Sequence, residues 1–158
     1  MAEMKTIFLV RHGKADGSWD YDHDFERMLT RKGKNDASAL ATLLREEGLL
    51  PDVIVSSPAF RAAQTARSLA TGLHLNPEEI QYAAALYPGT PDAYLRCICE
   101  VSAKALMLVG HNPVLEQLVL HFSGGKLSHF PTAACAVFKV STRTEQVESL
   151  QLLFHHSG

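Results

Sequence analysis

The spacing of apolar residues changes from a strand pattern to a helix pattern within the first third of the chain. Residues 5–10 (KTIFLV) form a short, β-rich apolar run, which predicts a buried strand. From Thr30 to about Glu47 the apolar residues recur every three or four positions, which predicts an amphipathic helix. We expect Thr30 to cap this helix and Gly48 to end it.

The same change from strand to helix is repeated further along. Residues 51–57 (PDVIVSS) predict a second strand. Ser57 and Pro58 are suited to the cap and the first position of the helix that follows. The inner face of that helix is expected to carry small and apolar side chains, namely Ala62, Ala66, Leu69 and Leu73.

A third such pair begins at residues 105–110 (ALMLVG), which predict a strand. Asn112 and Pro113 are suited to cap and begin its helix. Between the second and third pairs, residues 79–87 predict a short strand and residues 91–101 a helix. A loop is expected over residues 123–134. Two late strands are expected after it, over residues 135–140 and 149–154.

Strands that alternate with helices predict the α/β class, here three α/β/α layers around a mostly parallel central sheet. The length of 158 residues, 46% of them hydrophobic, fits a single domain over residues 1–158. No repeat or linker interrupts this pattern. The sequence therefore predicts one sheet with its helices packed on both faces.

Composition argues against several classes of function. The formal net charge is −2 and no run of Lys and Arg is present, so neither a nucleic-acid surface nor a membrane surface is predicted. No apolar stretch approaches the roughly 18 residues of a membrane span, and the N-terminus lacks the features of a signal peptide. We expect a cytoplasmic protein. Three cysteines in such a protein do not predict a disulfide framework.

Polar side chains follow each of the three best strands at its carboxyl end. The first strand runs into Arg11 and His12, the second is followed by Arg61 one turn into its helix, and the third runs into His111 and Asn112. In open α/β sheets ligands bind outside the carboxyl ends of the strands. Any one of these residues alone is a weak signal, but their coincidence at three strand ends predicts a common site.

This set of residues favours binding of an anion with two negative charges. Arginine offers a planar, permanently charged fork that matches phosphate or carboxylate, and helix N-termini add free N–H groups. Gly13 lets the backbone approach the anion closely. Positive charge nearby disfavours protonation of His12, and a neutral imidazole beside a bound phosphoryl group is a nucleophile. The residues therefore predict a phosphate pocket with His12 aimed into it.

Four segments together resemble the motifs of the histidine phosphatase superfamily, which has the phosphoglycerate-mutase-like fold. They are LVRHGKA, DFERMLTRKGKNDA, VSSPAFRAAQTA and LVGHNP, in this order along the chain. The segment ALYPGTPDAYL and the small size are similar to the SixA-like branch, the phosphohistidine phosphatases. The resemblance implies that His12 is the nucleophile, that Arg11, Arg61 and His111 bind the phosphoryl oxygens, and that no metal or organic cofactor is needed. We expect Asn112 to bind the phosphate as well.

A general acid is missing from the place where many larger members of that family carry one. Asp92 is the nearest carboxylate, and His23 lies close to the motif in sequence, so the proton donor stays open between them. A leaving imidazole needs less protonation than a leaving alkoxide, which favours phosphohistidine in a protein as the substrate. The alternatives are a small-molecule phosphomonoesterase, a non-catalytic phosphoprotein-binding module and, more remotely, a metallohydrolase.

Overall fold

One six-stranded sheet, with the strand order β3-β2-β4-β1-β5-β6, runs through the computed structural model, which describes residues 2–17, 21–144 and 146–158. The strands are β1 Glu3–Arg11, β2 Val53–Ser56, β3 Gln81–Tyr82, β4 Ala105–Gly110, β5 Cys135–Arg143 and β6 Gln146–His156. The α-helices are α1 Arg31–Glu46, α2 Phe60–Gly72, α3 Pro91–Glu100 and α4 Val114–Phe122. Short 3-10 turns span Tyr21–Glu26, Pro77–Glu79 and Ala84–Leu86.

The first four strands of the sheet in space, β3, β2, β4 and β1, are parallel, whereas β5 pairs antiparallel with both β1 and β6. The predicted α/β class with a mostly parallel sheet is confirmed. In the register of the central strands Arg11 lies opposite Gly110, and Ser56 lies opposite Val109. The carboxyl ends of β1, β2 and β4 are therefore level at one edge of the sheet.

Side-chain alternation along β1 divides the core into two layers. Ile7 and Leu9 pack on the face covered by α3 and α4, while Phe8 and Val10 pack on the face covered by α1 and α2. All four side chains are fully buried. Successive residues of a strand point to opposite faces, so a continuous apolar run is required where helices cover both faces. The predicted inner face of α2 is buried as expected.

The starts of the helices agree with the sequence prediction at α1 and disagree at α2 and α4. Thr30 caps α1, and its hydroxyl accepts the N–H of Gly33. Ser57 and Pro58 precede α2 without capping or opening it, and Asn112 likewise makes no cap for α4. In both failed predictions the polar side chain is bonded to a group far away in the sequence, as described below.

The late strands are longer than predicted, and the strand expected over residues 79–87 is shorter. Of that segment only Gln81–Tyr82 pairs with β2, because Ala84–Leu86 turns into a 3-10 helix. Strand β6 is an edge strand with two irregularities in its pairing with β5, at Leu150 and Leu153. Among the described residues, no helix combines the length and the apolar character needed to cross a bilayer.

Candidate active site

A cavity of about 470 Å³ opens at the edge where β1, β2 and β4 end. All five residues predicted to form a common site line this cavity, namely Arg11, His12, Arg61, His111 and Asn112. They arrive from the last residue of β1 and the loop after it, the first turn of α2 and the loop after β4. The parallel strands and their level ends account for the convergence.

His12 is buried directly after β1, with 7% of its surface exposed. Its Nδ1 lies 2.7 Å from the carbonyl oxygen of Gly13. A carbonyl only accepts hydrogen bonds, so Nδ1 carries the proton and Nε2 keeps its lone pair. Burial, and then the charges of Arg61 and Arg11, lower the pKa of His12 to about 4. At neutral pH this ring is an uncharged imidazole, and its Nε2 has no hydrogen-bond partner among the described residues.

Gly13 holds the loop after β1 in a space too small for a side chain. A Cβ atom there would lie 2.8 Å from the carbonyl oxygen of Gly33 in α1. The N–H of Gly13 donates to the buried hydroxyl of Thr65 in α2, at 3.0 Å. The loop that carries His12 is therefore fixed against both helices on that face of the sheet.

His111 follows β4 and is equally buried, with 5% of its surface exposed. Its ring centroid lies 5.2 Å from that of His12. The Nε2 atom lies 2.7 Å from the Ser57 hydroxyl, and the backbone N–H donates to the Tyr94 hydroxyl at 3.1 Å. Burial, followed by the charges of His12 and Arg61, lowers the pKa of His111 to about 3. Both rings are therefore neutral at pH 7.

Four cationic side chains line the cavity, and the two predicted arginines, Arg11 and Arg61, are among them with Lys14 and Arg27. Arg61 is buried and donates from Nη1 to the carbonyl of Asp24 at 2.8 Å. Arg11 donates from Nη1 to the carbonyl of Phe130 at 3.4 Å. The Nε atoms of both arginines are buried and have no hydrogen-bond partner in the described part of the chain. Buried donors of this kind are expected to be satisfied by an anion in the cavity.

Asn112 is anchored to the loop that precedes β5. Its Nδ2 donates to the carbonyl of Phe130 at 2.7 Å, the same carbonyl that Arg11 contacts. This bond holds the amide group at that loop, and no side-chain cap forms at the start of α4. The Oδ1 atom is buried without a partner in the described residues. Because Oδ1 is an acceptor, any contact of Asn112 with a phosphoryl oxygen has to come from the amide nitrogen.

Asp24 is an ionisable residue of the cavity that the sequence did not predict. Its carboxylate accepts hydrogen bonds from Tyr87 Oη at 2.6 Å, Arg61 Nη2 at 3.2 Å and Arg27 Nε at 3.0 Å. Burial works against the charged form, but these three partners together hold the pKa of Asp24 below its ordinary value. The signal in the sequence is the DFER segment, residues 24–27, which begins one of the four motifs that resemble the superfamily. The motif alone does not indicate what its aspartate contacts.

The two predicted proton donors do not line the cavity. Asp92 is exposed in the first turn of α3, and His23 is exposed in the 3-10 turn Tyr21–Glu26. Among the described residues, Asp24 supplies the carboxylate that does line it. No group of three or more His, Cys, Asp and Glu side chains in the described ranges is arranged to hold a metal ion.

The sequence model of the histidine phosphatase superfamily (branch 1) matches residues 7–86. The matched residues make up just over half of the chain and include His12, Asp24 and Arg61. The chain belongs to this superfamily. Membership agrees with the resemblance seen in the four motifs.

Three relatives place it close to the SixA-like branch. The phosphohistidine phosphatase SixA of Escherichia coli (strain K12) is 27% identical over 135 residues, which cover 82% of each chain. A structure assigned to SixA of Agrobacterium tumefaciens covers 95% of this chain and 97% of its own, with 29% identity and a TM-score of 0.77. A structure of the protein histidine phosphatase SixA with tungstate covers 96% of both chains, with 25% identity and a TM-score of 0.74.

Proposed function

We propose that this protein is a phosphatase that removes the phosphoryl group from phosphohistidine in a protein, through a covalent phosphohistidine intermediate on His12. The observation that carries the proposal is the state of the His12 ring. It is neutral, its Nδ1 proton is bonded to Gly13, and its Nε2 lone pair is free beside two arginines. These are the requirements of a nucleophile for a bound phosphoryl group.

In the first step the Nε2 lone pair of His12 attacks phosphorus in line with the leaving group. The new N–P bond forms as the bond to the leaving nitrogen breaks, and that nitrogen keeps the electron pair. Arg11, Arg61 and His111 donate hydrogen bonds to the phosphoryl oxygens. The carbonyl of Gly13 stabilises the positive charge that His12 acquires through its Nδ1–H. Catalysis of this kind consists mainly of positioning and electrostatic stabilisation.

In the second step a water molecule attacks the phosphorus of phospho-His12 from the side that the leaving group vacated. The N–P bond breaks and its electron pair returns to Nε2 of His12. The water proton leaves with the phosphate product or through the Asp24 carboxylate. The enzyme is thereby restored with His12 neutral. The tungstate complex of a SixA relative supports this scheme, since tungstate is a tetrahedral oxyanion like phosphate.

The ionisation of Asp24 favours phosphohistidine over phosphate esters. A departing alkoxide needs a proton at neutral pH, and an acid with a raised pKa is the usual donor. Asp24 has a lowered pKa and is a carboxylate. A leaving imidazole depends less on such a donor. The charge state of the cavity therefore agrees with the preference that the sequence indicated.

A small-molecule phosphomonoesterase is the second candidate, and the contact between Asp24 and Tyr87 favours it. The two oxygens lie 2.6 Å apart at the wall of the cavity. The proton between them belongs to the Tyr87 hydroxyl, which donates it to the Asp24 carboxylate. In that case Tyr87 and Asp24 together would deliver this proton to a leaving oxygen, in the role predicted for Asp92 or His23.

The first experiment compares a phosphohistidine protein with a panel of sugar and nucleotide phosphates as substrates. We expect wild type to turn over phosphohistidine fastest, and to retain acid-labile 32P on His12 when the reaction is quenched. His12→Ala should do neither. Faster turnover of the sugar phosphates would instead support the phosphomonoesterase, and binding without any labelling would support a phosphoprotein-binding module.

The second experiment asks what Asp24 does. Under the leading proposal Asp24→Asn lowers kcat/KM for phosphohistidine and for esters by the same factor, because it acts through the orientation of Arg61. If Asp24 donates a proton, the loss is larger for esters. Asp92→Asn is the matched control and should have no effect on either substrate.

A further inference from the structure

Ser57 is a fully buried serine that does not line the cavity but contacts a residue that does. Its hydroxyl lies 2.7 Å from Nε2 of His111 and accepts the N–H of Ala59 at 3.2 Å. This is the side chain that was predicted to cap α2. The hydrogen bond to His111, 54 positions away in the sequence, is the contact that it makes instead.

Among the described residues, the proton of this hydroxyl has one acceptor within hydrogen-bond distance. A buried hydroxyl carries one O–H and is expected to donate it. The N–H of Ala59 is a donor and occupies a lone pair of the Ser57 oxygen. The hydroxyl proton of Ser57 therefore still needs an acceptor. In the described part of the chain, Nε2 of His111 is the only other recorded partner of that oxygen. The O–H group therefore points at Nε2, which must have its lone pair free to accept.

We infer that Ser57 is a positioning residue that fixes His111 as the Nδ1–H tautomer, so that His111 offers a hydrogen-bond donor to the phosphoryl group. A neutral imidazole carries one proton, and acceptance at Nε2 leaves that proton on Nδ1. Nδ1 is buried and has no partner among the described residues. The unsatisfied N–H is therefore the group left to bind an oxygen of the anion.

The opposite tautomer would weaken the site. With the proton on Nε2, the unpartnered Nδ1 atom would carry a lone pair, and His111 would have no N–H left to offer a phosphoryl oxygen. The low pKa of His111 means that ordinary buffer does not supply a second proton to remove the problem. The catalytic consequence rests on the proposed function, whereas the tautomer itself does not.

The tautomer is measured directly by two-bond 1H–15N correlation spectra of protein labelled with 15N at histidine. The His111 signals are assigned by their loss in His111→Gln. We expect the Nδ1–H pattern for His111 in wild type at pH 7, without any substrate. In Ser57→Ala the pattern should change to the Nε2–H form or to a mixture of the two.

Two variants separate this role from a general effect on the fold. Ser57→Thr keeps the hydroxyl and should keep the wild-type tautomer. Ser56→Ala is the matched control, because Ser56 is equally buried and donates its own hydroxyl to the carbonyl of Ser57. It removes one serine hydroxyl from the same strand end and should leave the His111 tautomer unchanged.

Kinetics supply the second measurement. Partners that fix the tautomer of a metal-binding histidine are typically worth 10–100-fold in activity or affinity, and we expect Ser57→Ala to lower kcat on a phosphohistidine peptide by about as much. KM should change little, and Ser57→Thr should recover most of the loss.

An Nε2–H signal for His111 in wild type would overturn the inference, and this result needs no variant of Ser57 to fold. An unchanged tautomer in folded Ser57→Ala would overturn it as well. Failure of the proposed function is a different result. It would be wild-type protein that shows the Nδ1–H tautomer at His111 yet hydrolyses no phosphohistidine.

Discussion

The loop after β1 and the loop after β4 are built in the same way. Each begins where a central parallel strand ends, and each carries one buried histidine. Each is also held by a backbone N–H that donates to a buried hydroxyl of a covering helix. The donor is Gly13 to Thr65 of α2 in the first loop and His111 to Tyr94 of α3 in the second.

The difference between the loops lies in the second partner of each ring. His12 gives its Nδ1 proton to a carbonyl, which leaves the lone pair of Nε2 for the substrate. His111 meets a hydroxyl at Nε2, which leaves its Nδ1 proton for the substrate under the role inferred for Ser57. One tautomer thus serves as a nucleophile in one loop and as a donor in the other. The hydrogen-bond partner of one ring nitrogen therefore decides whether the other nitrogen acts as a nucleophile or as a donor.

Replacement of each ring by alanine should separate the two roles most strongly. His12→Ala should lower kcat by about 10⁴-fold or more, as for removal of a nucleophile in other covalent enzymes. His111→Ala removes one donor to the developing charge and should cost about 10²–10³-fold, with labelling of His12 preserved. Steady-state kinetics and quenched 32P labelling measure both. Loss of the label in both variants would contradict this division of roles.

The two rings should also dominate the acid sensitivity of the fold. Burial lowers the pKa of His12 to about 4 and that of His111 to about 3, below the usual 6.5 of an unfolded chain. As the pH falls below about 6.5, the unfolded chain binds protons that the folded rings do not bind. The free energy of unfolding should therefore fall, by on the order of 1–3 kcal/mol per ring near pH 4.5.

Urea unfolding of wild type, His12→Gln and His111→Gln at several pH values measures this effect. Each variant should lose stability less steeply than wild type between about pH 6.5 and 4.5, since one abnormal histidine has been removed. The benefit of removing His111 should persist to lower pH, because its pKa is the lower of the two. Parallel slopes for all three proteins would show that neither ring is buried in its neutral form.

Gly13 and Gly110, the glycines next to the two histidines, should differ in whether a second substitution can rescue their replacement by alanine. A Cβ atom at Gly13 would meet the backbone of Gly33, whereas one at Gly110 would meet the Tyr94 side chain, 2.8 Å from its Cζ. Each alanine variant should lose about 1–3 kcal/mol of stability from overpacking. Tyr94→Leu should suppress the cost of Gly110→Ala in a double variant. Thermal unfolding tests this, and additive costs would contradict the contact.

The smallest effects are expected at the two anchoring hydroxyls. Thr65→Val and Tyr94→Phe each remove the acceptor of one loop N–H and should cost about 1 kcal/mol. We expect kcat to fall by less than about 10-fold, since each ring keeps its second partner. Thr42→Val is the control for Thr65→Val. Each of the two hydroxyls donates to the carbonyl four residues before it, but Thr42 does so on an exposed face of α1. An equally large loss of stability in Thr42→Val would show that the cost comes from the side-chain bond within the helix and not from the loop N–H.

The sequence sufficed for those features that depend on local pattern. The spacing of apolar residues predicted β4 with its observed ends and the cap of α1 at Thr30. The strand ends predicted the convergence of His12, Arg61 and His111 on one cavity, because parallel strands of one sheet end together.

The features that the sequence did not reveal depend on contacts between distant segments. Ser57 and Asn112 both looked like caps, since their neighbours fit a helix start. Their true partners, His111 and the Phe130 carbonyl, are chosen by tertiary packing. Asp24 lies in a polar segment without apolar spacing, and only its packing against α2 brings it to Arg61. Asp92 has the right chemistry near the right segment but faces outward.

The pairing of Arg11 with Gly110 has a consequence for how this fold tolerates insertions. His12 and His111 each lie one residue beyond that pair. The pairing register of β1 and β4 therefore sets the relative position of the two imidazoles along the strand direction. A one-residue slip between paired strands exchanges the faces on which their side chains project. An extra residue within β4 would therefore separate the histidines even if every side chain of the cavity were retained.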